Sequence, residues 1–221
     1  MQAIIFDMDG VIVDTEPLTD AHHKSYLLEL GADLDAKPFV PQRGKNSRGT
    51  WEVFKDIYQL EHDIDFLIES GRQKYIAHLQ TLAEIPIIDG VRELIHALHA
   101  AGYRIALASS SNPKRIDLFL NQLKLMNYFE ELVSGDDVQH GKPAPDCYLL
   151  AAKKLGVKPK DCVVIEDASF GVQAAKAAGM KCLGFAGLPH NDQDLSEADL
   201  IITDFHKLAQ YVKDGGRLLD L

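Results

Sequence analysis

Ala3-Ile4-Ile5-Phe6-Asp7-Met8-Asp9-Gly10-Val11-Ile12-Val13-Asp14 opens the chain after Met1 and Gln2. The first four of these residues are apolar, and no polar residue alternates among them. That pattern fits a strand buried on both faces, as the central strands of parallel sheets are. The run stops abruptly at two carboxylates, Asp7 and Asp9, with Gly10 just beyond. Side chains at i and i+2 of an extended segment share a side. Ligands of open α/β sheets bind outside the carboxyl ends of the strands, so Asp7 and Asp9 stand where chemistry is expected. Taken alone, Asp-x-Asp-Gly is equally an acidic turn after a strand.

Working outward, the pattern changes after Asp14-Thr15-Glu16-Pro17. Apolar residues at Ala21, Tyr26, Leu27, Leu28 and Leu30 lead to a helix stop at Gly31. Helical periodicity continues through Trp51–Leu60 and Ile64–Leu82, with no convincing strand. Residues 16–82 therefore read as a small all-helical insertion, with Glu84-Ile-Pro86 as the return linker. From Asp89 the chain alternates as α/β units do. Strands are expected at Arg104–Ala108, Leu132–Val133, Cys162–Ile165, Lys181–Phe185 and Leu200–Ile202. Between them lie helical stretches such as Gly90–Ala101, Asp146–Leu155 and Phe170–Ala178, and Asn112 is placed to cap a helix beginning at Pro113. The expected fold is a doubly wound α/β core with a mainly parallel sheet, residues 1–15 and 83–221, carrying a helical cap domain at 16–82.

The 221 residues, 46% hydrophobic and 25% charged, suit a globular protein with a sizeable core. No apolar run approaches the roughly 18 to 20 residues that span a bilayer, so no membrane role is expected. The first residues enter a strand at once, without a basic n-region or cleavage site, and Cys147, Cys162 and Cys182 form no Cys-x-x-Cys pair. Both features suit a cytoplasmic protein with reduced thiols. The histidines form no zinc pattern. A net charge of −10 argues against nucleic acid. The same charge demands that any phosphorylated substrate be met by a divalent cation and a few placed Lys or Arg.

Glu166-Asp167 ends the apolar run Val163-Val-Ile165. Two adjacent acids in the layer of Asp7 and Asp9 would repel unless a cation sat among them, and hard oxygen ligands select Mg2+. Ser109-Ser110-Ser-Asn-Pro ends another strand and opens a helix. It offers hydroxyl and N–H groups to an anion, and is otherwise a capped turn. Lys142 sits between Gly141 and Pro143 on a stiff loop. Arg43-Gly-Lys45-Asn-Ser-Arg48 is the densest basic cluster of the first 80 residues. Lys45 and Arg48 are read as substrate-facing cap residues, with Arg72 and Lys74 as weaker candidates; a solvated loop is the alternative.

Phe6-Asp7-Met8-Asp9-Gly10-Val11-Ile12-Val13-Asp14-Thr15 resembles the first motif of the haloacid dehalogenase superfamily, in its phosphatase and phosphomutase branch with a helical cap. Ser109, Lys142 in Gly141-Lys142-Pro143-Ala-Pro145-Asp146, and Glu166-Asp167 followed by Ala168-Ser-Phe-Gly-Val-Gln-Ala-Ala-Lys-Ala-Ala-Gly179 match its second, third and fourth motifs in order. The resemblance implies Asp7 as nucleophile through an aspartyl-phosphate, and Asp9 as acid and then base. It places Ser109, Ser110 and Lys142 on the phosphate. Mg2+ would be held by Asp7, the carbonyl of Asp9, Asp167, and Glu166 directly or through water. Asp14 reads equally as a helix cap or support behind the site and as a catalytic acid. Asp9 sets the chain apart from dehalogenases and phosphonate hydrolases, which lack a second acid. Mutases of the β-phosphoglucomutase type carry a hinge histidine where this chain has Thr19, with His22 and His23 following. Asp14-Thr-Glu-Pro17 looks like the start of sugar-phosphate phosphatases. The expectation is a Mg2+-dependent phosphatase acting on a small phosphorylated metabolite, as a monomer or weak dimer. The alternatives are a phosphomutase and a silent binding module of the same fold.

Overall fold

The computed structural model of the chain describes residues 2–42 and 47–221. Contacts divide it into two compact units, Met1–Asp14 with Glu84–Leu221, and Thr15–Ala83.

The first unit is built on a six-stranded, all-parallel sheet. Its strands are β1 (Ala3–Phe6), β2 (Arg104–Ala108), β3 (Glu131–Val133), β4 (Cys162–Glu166), β5 (Lys181–Phe185) and β6 (Leu200–Ile202). They lie in the order β3-β2-β1-β4-β5-β6. β1 is therefore central, as its unbroken apolar run requires. Ile5 pairs with Ala106 on one side and Val164 on the other. All four residues of β1 are fully buried, each large side chain contributing about 1.5–3 kcal/mol by leaving water.

Alternation sends Ala3 and Ile5 to one face, into a cluster with Tyr148, Ala151 and Leu155 of α6 (Asp146–Leu155) and Val172 and Ala175 of α7 (Ser169–Ala177). Phe6 meets Phe129 edge-on, with ring centroids 6.1 Å apart. Phe185 stacks at 4.1 Å on Phe205 of α8 (Phe205–Lys213). Two further helices, α4 (Val91–Ala100) and α5 (Pro113–Gln122), complete the unit, and the Asn112 side chain caps α5 by accepting from the N–H of Arg115 at 3.1 Å. The strand order reverses direction between β1 and β4. In such sheets the crevice at that switch point is where ligands sit.

The second unit is helical: α1 (Glu16–Glu29), α2 (Ser47–Tyr58) and α3 (Ile64–Thr81). Its core joins Tyr26, Leu27, Trp51, Phe54, Tyr58 and Leu67. Gly71 of α3 lets that helix approach closely, since a Cβ there would lie 3.1 Å from Trp51. Asp63 caps α3 by accepting from the N–H of Asp65 at 2.8 Å. Among the described residues, no helix is long and apolar enough to cross a membrane.

Two elements differ from the sequence expectation. Helix α2 begins at Ser47 and ends at Tyr58, not 51–60. Helix α8, not expected, follows the last strand, capped by the Asp204 side chain, which accepts from the N–H of Lys207 at 3.1 Å.

Candidate active site

Asp7 continues β1 by one residue, its N–H donating to the carbonyl of Ile165 at 3.0 Å. Because β1 is central, its end is flanked by the ends of β2 and β4, which deliver Ser109, Glu166 and Asp167. Lys142 completes the cluster. Its ammonium donates to Asp7 Oδ1 at 2.6 Å, to Glu166 Oε1 at 2.7 Å and to the Ala108 carbonyl at 3.3 Å. The side chains of Lys142, Asp7 and Glu166 are only 9%, 8% and 2% exposed. Burial by itself would lower the lysine pKa, but the two carboxylates outweigh it and hold the group above the usual lysine range.

Glu166 is saturated. Oε1 accepts from Lys142 and from the Tyr148 hydroxyl at 2.8 Å, and Oε2 accepts from the N–H groups of Asp167 at 2.8 Å and Ala168 at 2.9 Å. Gly171 makes room for it, since a Cβ there would sit 1.6 Å from Glu166 Oε1. Asp167 presses against Gly10 in the same way. Gly10 has φ +79°, and a Cβ would lie 1.9 Å from Asp167 Oδ2. Both the conformation and the space at position 10 therefore require glycine.

Carboxylate oxygens of Asp7, Glu166 and Asp167 lie within 4.8 Å of one another. Three carboxylates face the Lys142 ammonium, an excess of two negative charges when all are ionised. This crowding of charge raises the proton affinity of the acids. Burial first, and then the neighbouring Glu166 and Asp9 carboxylates, push Asp7 up to about 7 against the opposing pull of Lys142. Burial, with Glu166 and Asp7, raises Asp167 well above the carboxylate range. A hard divalent cation would supply the two missing charges, and this oxygen donor set suits one. Asp7 and Asp167 are the carboxylates with oxygens to offer it.

Asp9 points elsewhere. Its Oδ2 accepts from the Ser111 hydroxyl at 2.8 Å, and its Oδ1 from the guanidinium of Arg115. Ser109 is buried, its Oγ accepting from the Ser111 N–H at 3.1 Å. Ser110 is exposed. Asp14 lies 3.1 Å from His190 Nε2.

The sequence-predicted core residues Asp7, Lys142, Glu166 and Asp167 thus converge on one buried cluster, with Asp9 and Ser109 joined beside it through Ser111. The cap candidates fall in the second unit. Arg48 is exposed and paired with Asp65, Lys74 is paired with Glu29 at 2.5 Å, and Arg72 is exposed. Lys45 lies outside the described residues. Ser111, Arg115 and Tyr148 were not anticipated. Arg115 did carry a signal: a cation in the first turn of a helix opposes the dipole, so an anion elsewhere must hold it. Tyr148 carried another, because a hydroxyl on the buried stripe of a helix needs a partner.

Comparison with known proteins extends this picture. The family model described as haloacid dehalogenase-like hydrolase matches residues 4–185. Fructose-1-phosphate phosphatase YqaB of Escherichia coli is 35% identical over 181 residues, covering 80% of this chain and 92% of that one. The phosphorylated carbohydrates phosphatase of Thermotoga maritima is 33% identical over 187 residues, covering 82% and 83%. Among solved structures, CbbY from Rhodobacter sphaeroides in complex with phosphate superposes with a TM-score of 0.81 at 25% identity, covering 100% of both chains. A putative beta-phosphoglucomutase from Thermotoga maritima gives 0.77 at 27% identity, covering 97% of this chain and 99% of that one. With its acids gathered at the central strand end and the family pattern running through most of its length, this chain belongs to the haloacid dehalogenase-like hydrolases.

Proposed function

We propose that the protein is a Mg2+-dependent phosphatase that hydrolyses a small phosphate monoester, of the sugar-phosphate class, through an aspartyl-phosphate on Asp7. The observation that carries this reading is the pairing of two differently held acids at one strand end. Asp7 is buried and oriented by Lys142, while Asp9 is held by Ser111 and Arg115 and keeps its side chain 32% exposed.

Asp7 is suited to attack phosphorus with one carboxylate oxygen while the other would face the cation, forming its own P–O bond as the ester P–O bond breaks. Asp9 turns from its partners to give the leaving oxygen a proton. It then takes a proton from the water that cleaves the aspartyl-phosphate, releasing inorganic phosphate and restoring Asp7. The Lys142 ammonium balances the charge of the transferring group, and the Ser109–Ser111 turn offers it donors. Asp7, Asp167 and the Asp9 carbonyl would hold Mg2+, with Glu166 fixing the turn that carries Asp167. When bound, the ion neutralises phosphate charge.

Relatives named fructose-1-phosphate phosphatase and phosphorylated carbohydrates phosphatase support the substrate class. Hydrolysis is favoured over mutase chemistry by the second unit. There the Thr19 hydroxyl is bonded to Tyr75 at 3.1 Å, His22 is buried against Tyr26 and Tyr75, and His23 meets Trp51 and Phe54 edge-on. Each is committed within the cap core, so none stands in for a hinge histidine. The buried, free Cys147, Cys162 and Cys182 support a reducing compartment, the cytoplasm.

The test is phosphate release from a panel of sugar phosphates and other monoesters, with and without Mg2+, beside Asp7→Asn. Magnesium-dependent release that disappears in Asp7→Asn is expected. Formation of glucose 6-phosphate from β-glucose 1-phosphate without net phosphate release would instead establish the mutase.

A further inference from the structure

Asp167 rides on a turn of two residues between the end of β4 at Glu166 and the start of α7 at Ser169. The helix that follows is capped by Ala168, whose methyl group cannot accept from the first amides of the helix. The turn needs other support, and the loop after β5 provides it. The Asn191 side chain donates to the main-chain carbonyl of Asp167 at 2.9 Å and to that of Phe185 at 3.3 Å. Gln193 Oε1 accepts from the Ser169 hydroxyl at 3.2 Å and its N–H at 3.4 Å, supplying from a distance the cap that Ala168 lacks.

Asn191 is itself fixed. Its Oδ1 accepts from the N–H of Gln193 at 2.9 Å, and its own N–H donates to the Leu188 carbonyl at 3.1 Å. His190, next to it, lies 3.1 Å from Asp14 at the tail of the first motif. One short loop is thereby tied to both acidic segments. It falls beyond residues 4–185, the stretch matched by the family model.

We infer that Asn191 is a positioning residue that sets the direction of the Asp167 carboxylate and so the affinity of the site for a divalent cation. Asp167 has little latitude, because Gly10 walls its carboxylate on one side. Its N–H is held by Glu166 and its C=O by Asn191, so the backbone from which the carboxylate projects is fixed on both sides. Partners of this kind, one step behind a ligand, are worth about 10- to 100-fold in metal affinity.

The inference rests on Asp7 and Asp167 forming the cation site, and the experiment separates the two. Mg2+ is titrated calorimetrically into the full chain and into Asn191→Ala and Asn191→Asp. The aspartate keeps the volume and the acceptor for Gln193 but loses the donor to Asp167, so it carries the test if the alanine variant does not fold. Expected is binding to the wild type and about 10- to 100-fold weaker binding to both variants. Phosphatase kcat should recover at saturating Mg2+ while KM for the phosphate ester stays near wild type. Binding within about three-fold of wild type, with kcat lowered at every Mg2+ concentration, would overturn the assignment and leave Asn191 a structural residue. A wild-type chain that binds no Mg2+ would overturn the cation site itself, and this assignment with it.

Discussion

Replacing Lys142 by methionine keeps most of its length and removes its charge, which leaves Asp7 and Glu166 buried without their shared counter-ion. Both acids lie within 2.7 Å of the ammonium, and all three side chains are less than a tenth exposed. Removing one partner of a buried ion pair costs about 3–5 kcal/mol, because the remaining charge has no compensation. For a chain of this length each kcal/mol lowers Tm by about 2–4 °C, so metal-free Lys142→Met should melt about 6–20 °C below wild type near neutral pH. The sign of the pH dependence follows from Asp7. Its folded pKa, about 7 against an ordinary 3.8, means that its contribution favours the fold below the lower value and is lost as pH rises through the higher. Without Lys142 the folded pKa climbs further, so the variant loses more than wild type on the alkaline side. The gap in Tm should therefore be wide at about pH 8 and narrow towards pH 6. Thermal melts of both proteins in chelator across that range make the test. A difference under about 2 °C at pH 8, or one that widens on acidification, would refute the idea that this cluster is held together by a shared buried cation.

Three further outcomes are expected. Asp9→Asn should keep Mg2+ binding, measured by titration, and lose turnover by roughly 10²-fold or more; full activity would remove Asp9 from the proton transfers. Gly10→Ala should cost about 1–3 kcal/mol in a denaturant melt, because the residue has φ +79° and its new methyl would displace the Asp167 carboxylate; Mg2+ affinity should fall with stability. Burial depresses His22 from 6.5 to about 4, so its neutral form favours the fold above the higher value and this contribution is lost as pH falls towards the lower. Between about pH 8 and pH 5 that loss is about 2 kcal/mol for His22, and His23, likewise depressed to about 4, acts in the same direction. The fluorescence of Trp51, the single tryptophan, packed against His23, reports the cap core directly; a transition that is flat or rises towards acid pH would contradict the assignment.

Much of the fold was legible because buried parallel strands leave an unambiguous mark. Ala3–Phe6 and residues 105–108, 162–165 and 182–185 are short apolar runs, each followed by a helical stretch or loop, and the parallel sheet aligns their ends. Acids that follow such runs must share one edge, which is why the sequence alone puts Asp7 and Asp167 together. Helix α8 was available to the same reasoning, with Asp204 as cap and Phe205, Leu208, Ala209 and Val212 at helical spacing. The partners of the acids were harder to see. Ser111 and Arg115 reach Asp9 only because β2 lies beside β1, and Asn191 reaches Asp167 only because the loop after β5 folds back over the start of α7. A hydrogen bond across more than 20 positions leaves no period in the sequence. The cap residues are less legible still, since Arg48 and Lys74 are exposed cations that also suit the ion pairs they make with Asp65 and Glu29.

In the proposed reaction Asp7 carries the phosphoryl group between the two half-reactions. The most direct measurement is intact and peptide-resolved mass spectrometry of enzyme quenched in acid during turnover of the best substrate found. Asp9→Asn is measured in parallel, since it should slow the release of the intermediate. The added mass of one phosphoryl group is expected on the peptide that contains Asp7, and none in Asp7→Asn. Phosphate release that persists in Asp7→Asn, with no adduct on that peptide in any sample, would contradict this role for Asp7.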